Sequence, residues 1–172
     1  MATEYFKNFP TITYNNKQVK NILLRAVPKS PTIENNYVYL PLTVNEGERP
    51  DTVANDLYNN SYYDWAIRLV NTQIDPYYDW YMTAEQFEKF LIAKYGSIAT
   101  AMATIVHYRH KTYKAVFINT YTYSNIEDTA DYEPVYAYDY EEELNEAKKL
   151  IKVIQPSTVQ DLDRQLEKKL NE

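Results

Sequence analysis

The chain contains no cysteine, only two glycines among its 172 residues, and no lysine or arginine between positions 115 and 147. Each shortage excludes something. Without cysteine there is no disulfide framework, no thiol nucleophile and no thiolate metal site. Two glycines are too few for a loop that cradles phosphate with its backbone amides. No apolar run approaches the roughly 18 residues that a membrane span needs, and the opening segment MATEYFKNFP lacks the apolar core of a secretion signal. A formal net charge of -6 argues against gripping nucleic-acid phosphates, because that task takes clustered Lys and Arg. The expectation is a protein whose partners are neither nucleic acid nor membrane. It is made and kept in the cytoplasm, or assembled into something built there.

Catalytic groupings are equally sparse. His107 and His110 stand in HYRH on an expected strand, where positions i and i+3 face opposite ways and do not share a metal. Asp75 and Asp79 flank a tyrosine pair, and paired carboxylates do acid–base work in glycosidases. Asp-Pro is nevertheless a common turn opener, so both read as turn and cap residues. No Ser–His–Asp spacing, P-loop or HExxH is present. The Glu141–Glu143 run reads as the solvated start of a helix. The sequence therefore predicts no catalytic residue, no metal, no cofactor and no small-molecule substrate.

What the chain has in excess is tyrosine, at 19 positions. Tyrosine combines an apolar ring with a polar tip and is enriched where proteins contact one another. Residues 1–31 hold Lys7, Lys17, Lys20, Arg25 and Lys29 against Glu4 alone, with prolines at 10, 28 and 31. This stretch reads as an extended N-terminal arm, ordered only where it docks, or in part as a first strand of the main fold, with TITYNN as a short strand and VKNILLRAV as a short apolar stretch within it. YVYLPLTV, from Tyr37 to Val44, alternates as a strand does, and Pro41 demotes it to an edge or bulged strand. After the turn NEGERP, Pro50 suits the first position of a helix and Asp51 its cap or first turn. Val53, Ala54, Leu57 and Tyr58 give that helix one apolar face. A second helix follows, capped by Ser61, with Tyr62, Trp65, Ala66, Leu69 and Val70 as its buried stripe. Trp65 and Leu69 should pack on Leu57 and the strand.

Further on, Thr83 and Gln86 form a capping-box signature, Phe87, Phe90 and Leu91 a helix face, and Gly96 a stop. TIVHYRHKTYKAVFI reads as a hairpin around RHK. DYEEELNEAKKL is an acid-led helix ending in Lys148 and Lys149, as the macrodipole prefers. IKVIQP is a short strand. A terminal helix carries Val159, Leu162, Leu166 and Leu170 on one side. The fold class expected is α+β, divided as arm 1–31, a small βαα module over 32–82, and a C-terminal helix, hairpin and helix region over 83–172.

The strand, GERPD turn, helix, NNSYYDW and helix resemble LysM domains at Gly47, Ala54, Tyr58, Trp65, Ile67 and Asn71. The usual Gly-Asp-Thr turn is replaced by Gly47-Glu48-Arg49-Pro50-Asp51, and DPYYDW replaces the usual route to a second strand. With those departures, RPDTVANDLYNNSYYDWAIRLVN followed by DPYYDW is similar to the baseplate wedge proteins of contractile-tailed phages. The Ile105–Tyr108 stretch and IKVIQPSTVQDLDRQLEKKL agree with the same family. The resemblance implies a structural virion protein, assembled in the host cytoplasm, whose LysM-like part clamps neighbouring wedges into a sixfold ring. Other wedge proteins and a nearby sheath-initiating protein would be its partners. The contact residues expected are Arg49, Asp51, Tyr62, Tyr77, Tyr78 and Trp80, with Lys17, Lys20 and Arg25 on the arm. Two alternatives stay open: a LysM-type module that binds peptidoglycan, and a baseplate protein of a bacterial injection machine.

Overall fold

The structure, a computed structural model, describes residues 5–24, 38–73, 75 and 77–171. The chain forms two compact units, one made of residues 1–80 with 149–172 and the other of residues 81–148. The architecture is α+β throughout.

In the first unit a 3-10 turn, Tyr5–Asn8, leads to a two-stranded hairpin, β1 (Thr11–Tyr14) and β2 (Lys17–Lys20). Its loop is Asn15-Asn16, both with positive φ (49° and 58°). That geometry suits the right-handed twist of the flanking strands, and asparagine tolerates it. The 3-10 turn and Phe9 are docked rather than loose. Phe9 is 1% exposed, and the Tyr5 ring lies 5.4 Å from that of Trp65. Within the stretch read as an arm, Tyr5 and Phe9 supply apolar area to the core. Arg25 and Lys29 fall outside the described residues.

The rest of this unit follows a β–α–α–β order: β3 (Tyr39–Thr43), α1 (Pro50–Tyr58), a 3-10 turn (Ser61–Tyr63), α2 (Asp64–Val70) and the late strand β7 (Leu150–Ile154). β3 and β7 pair antiparallel, with Tyr39 opposite Ile154 and Thr43 opposite Leu150. Val44 N donates to Lys149 O and Gln155 N to Val38 O, each at 2.8 Å. In that register the even-numbered residues of β3 point their backbone groups at β7, and the odd ones point away. Pro41 is odd, so the N–H it lacks falls on the free edge, where proline is tolerated. The outer edge of β7 is closed by side chains: Tyr58 donates its hydroxyl to Ile154 O at 2.9 Å, and Asn71 covers Lys152.

Residues 149–172 therefore return to the first unit, although a linear division at 82/83 separates them from it. β7 completes the sheet, and α7 (Val159–Asn171) adds Val159 and Leu166 to the core, with Leu162 and Leu170 packed beside them. Trp65 and Leu69 share this core with Leu57 and Tyr39, as the stripe predicts. The stripe's phase differs, however. A 3-10 turn precedes α2, so Tyr62 turns out to solvent and Tyr63 turns in. Trp65, Ala66 and Ile67 are consecutive and all buried, because α2 is covered on more than one side.

The second unit runs α3 (Ala84–Tyr95), α4 (Ile98–Ala103), β4 (Ile105–His110), β5 (Phe117–Ile118), α5 (Thr120–Asn125), β6 (Tyr132–Tyr136) and α6 (Ala137–Ala147). The Thr83–Gln86 capping box forms, with Gln86 N donating to Thr83 Oγ1 at 3.3 Å and Thr83 N to Gln86 Oε1 at 3.0 Å. Gly96, at φ +85°, ends α3. The expected hairpin is the β4–β5 pair, and β6 adds a third strand on the other side of β4, giving the order β5-β4-β6. The core is Met82, Phe87, Leu91, Ala101 and Ala137.

Candidate protein-interaction surfaces

Each expected contact residue has a definite place among the described residues, Arg25 excepted. Tyr77 and Tyr78 sit on a turn built by two aspartates. Asp75 Oδ1 accepts from Tyr77 N at 2.8 Å and from Tyr78 N at 3.1 Å. Asp79 Oδ2 accepts from Asp75 N at 2.7 Å, and Asp79 N donates back to Asp75 O at 3.1 Å. The carboxylates hold the turn, as Asx geometry does elsewhere, and the rings project from it. Tyr77 is 79% exposed and Tyr78 is 49% exposed. Trp80, which closes the same segment, is corrected from contact residue to core residue. Its ring is buried, and its Nε1 donates to Glu48 O at 2.7 Å.

Glu48 thereby ties the two loops of this unit together. Its carboxylate takes the Asn45 backbone N–H and side-chain amide, both at 2.8 Å. These bonds hold its pKa below the usual carboxylate range. Gly47, at φ +82°, makes the tight turn that allows them. Arg49 and Asp51 pair with each other at 3.0 Å at the exposed start of α1. Thr52 Oγ1 accepts from Arg49 N at 2.9 Å, so this turn is locally satisfied. Tyr62 is exposed on the separate 3-10 turn.

The two arm lysines differ. Lys17 is exposed at the start of β2. Lys20 reaches back, its Nζ donating to Lys7 O at 2.7 Å and Phe9 O at 2.8 Å, and so fastens the hairpin to the 3-10 turn. Beside Lys17, the hairpin and the residues after it expose Ile12, Tyr14, Val19, Ile22, Leu23 and Leu24. The sequence marks them as a short strand, TITYNN, and a short apolar stretch, VKNILLRAV, without giving them a contact role. The available signal was a β-former run inside a segment too short to bury both faces.

In the second unit the acidic stretch is partly neutralised internally. Arg109 forms a two-pronged pair with Glu143, at 2.7 and 2.6 Å. Lys114 pairs with Glu133 at 2.5 Å. Buried Glu141 accepts from Lys94 Nζ at 2.7 Å and Tyr95 Oη at 2.8 Å. Glu143 titrates below the usual range because Arg109 bonds its charged form. His107 is held below its ordinary value by burial and by nearby Arg109. His110 Nδ1 accepts from the backbone N–H of Thr112 and Tyr113, each at 3.1 Å, a turn-stabilising role.

The described residues thus expose aromatic rings on solvated turns and apolar side chains on a hairpin, with no catalytic grouping among them. The chain belongs to the phage baseplate wedge protein family: the family model for Base plate wedge protein 53 matches residues 2–162. No curated protein matches the chain. As a member of that family it is a structural component of the phage tail baseplate, where other baseplate proteins are its neighbours.

Proposed function

We propose that this protein clamps neighbouring wedges into a sixfold ring, and that it joins them in the host cytoplasm by protein–protein contacts alone. The observation that carries the reading is the 75–80 turn. Two carboxylates preorganise it, and two tyrosines stand out from it. Rigid, exposed aromatics lose little entropy on binding and supply large contact area, which is how interface hot spots work. Tyr62, Lys17 and the Arg49–Asp51 pair are accessible for further contacts, with charged groups steering more than binding.

The first unit is read as LysM-like, with β7 as its second strand. The β–α–α–β order and the β3–β7 pairing support this. In this arrangement the whole second unit takes the place of the short link between α2 and that strand. A sheath-initiating protein is a further candidate neighbour.

The test is a double variant, Tyr77→Ala with Tyr78→Ala. The isolated protein should keep its melting temperature, since neither ring belongs to the core. Wedges carrying the variant should form but remain separate. Rings that close normally with the variant would remove this turn from the clamp.

A further inference from the structure

The chain has two histidines, and both stand on β4. Each holds the segment that follows β4, residues 111–118, through its uncharged form. His110 does so with a lone pair. Its Nδ1 accepts from Thr112 N and Tyr113 N, each at 3.1 Å, which puts the proton of the neutral ring on Nε2. A charged imidazole carries hydrogen on both nitrogens and accepts neither bond. His107 does so by packing. Its ring lies 5.3 Å from that of Phe117 and 5.5 Å from that of Tyr140. Burial and the Arg109 guanidinium hold His107 below its ordinary value, with Glu143 acting the other way.

The other supports of the segment are slight. β5 is two residues long and pairs with β4 at Tyr108–Ile118 and Arg109–Phe117. Within the turn, His110 N donates to Val116 O at 2.9 Å and Val116 N to Tyr113 O at 2.8 Å. Tyr113, Val116 and Phe117 are exposed, so burial adds little.

We infer that residues 111–118 form a proton-sensitive flap on β4, closed while His107 and His110 are neutral and released when they take up protons. Closure fixes Tyr113, Val116 and Phe117 in one arrangement, so protons control an apolar surface of the second unit. The charges around the two rings fit this. His110 faces Tyr113 of the flap and Tyr132 of β6, at 4.9 and 5.3 Å between rings. Near it, Lys111 Nζ donates to Ala130 O, Lys111 N donates to Asp131 O, and Lys114 pairs with Glu133. α5 lays Tyr123 on Tyr108 and carries no charged side chain. His107 faces Arg109 on its own strand and Tyr140 and Glu143 on α6. Lys114 and Arg109 hold the Glu133 and Glu143 carboxyls below the usual range, so both ion pairs persist at about pH 5 and do not account for release. For His107 the folded state favours the neutral ring. Its contribution is complete above about pH 6.5 and is lost as pH falls below that value.

The experiment measures amide exchange by NMR on the full chain at about pH 7.5 and about pH 5, corrected for the intrinsic rate, together with the histidine ring resonances. Protection at Thr112, Tyr113 and Val116 should fall by about tenfold or more, with a midpoint that follows the histidine rings, while the α3 amides keep theirs. The variant His107→Phe with His110→Asn keeps an aromatic ring at one position and an oxygen acceptor at the other, with no proton to gain. It should stay protected at about pH 5. Unchanged protection in the parent, a midpoint near the carboxylate range at about 4, or equal loss in the variant would overturn the inference.

Discussion

Asn71 and Lys152 pair across 81 residues of sequence as if the asparagine side chain were a further strand. Its Nδ2 donates to Lys152 O at 2.7 Å, and its Oδ1 accepts from Lys152 N at 2.9 Å. The same Nδ2 donates to Ile67 O at 2.8 Å, which fixes the amide to the end of α2. The edge of β7 at Lys152 is thereby closed to other chains. Asn71→Ala should cost about 0.5–1.5 kcal/mol, because water reaches this exposed edge and replaces part of what is lost. Hydrogen exchange at the Lys152 amide should accelerate. An unchanged exchange rate there would show that the side chain adds nothing.

Asn145 does the same for the second unit in a buried setting. Its Oδ1 accepts from Met82 N at 2.9 Å and its Nδ2 donates to Met82 O at 3.1 Å, joining the two ends of that unit. Water does not replace these bonds, so Asn145→Ala should cost about 1–3 kcal/mol, more than Asn71→Ala. Denaturant unfolding of both variants checks the order. The reverse order would contradict this account of burial.

Ile67 is 0% exposed, whereas Leu69 is only partly buried. Ile67→Ala should destabilise by about 2–5 kcal/mol, the usual range for truncating a core aliphatic side chain, and Leu69→Ala by less. Thermal melting of the two variants decides it.

Alkaline pH should loosen the first unit. Burial pushes the Tyr58 hydroxyl up to about 12, against about 10 for an unfolded tyrosine. The folded state holds the proton more tightly, so this stabilisation is complete below about pH 10 and is lost as pH rises toward about 12. Tyr58→Phe keeps the ring and removes the titration. Its melting temperature should fall less steeply than the parent's between about pH 9 and about pH 12. Tyr39, Tyr63 and Tyr95 are also raised by burial, so part of the slope remains. Identical slopes would take Tyr58 out of the alkaline transition.

A glycan-binding LysM module would take up N-acetylglucosamine oligomers. Here the Trp80 indole is spent on Glu48 and lies in the core, and the GERPD turn is closed by Asn45 and Thr52. Calorimetry with a long oligomer should show no binding. Saturable binding in the micromolar range would favour the glycan reading.

The local features of this fold were readable from the chain. Thr83, Gln86 and Gly96 bound α3 through their own chemistry, and Pro41 marked a free edge because it has no N–H to offer. The β3–β7 pairing was not readable, since a strand's partner about a hundred residues away leaves no local trace. β6 was hidden by Pro134 within YEPVY, and α4 and α5 are too short to show a period. The burial of Phe9 and Trp80 depends on surfaces brought together by that long-range pairing. For the candidate surface, the Asp75 and Asp79 turn was legible from Asp-Pro.

Ring closure itself depends on this chain if it is the clamp. Wedges assembled from the other baseplate proteins should be imaged by electron microscopy with and without this chain. Wedges should stay separate in its absence and close into sixfold rings when it is added back. Closed sixfold rings formed without it would contradict the clamp.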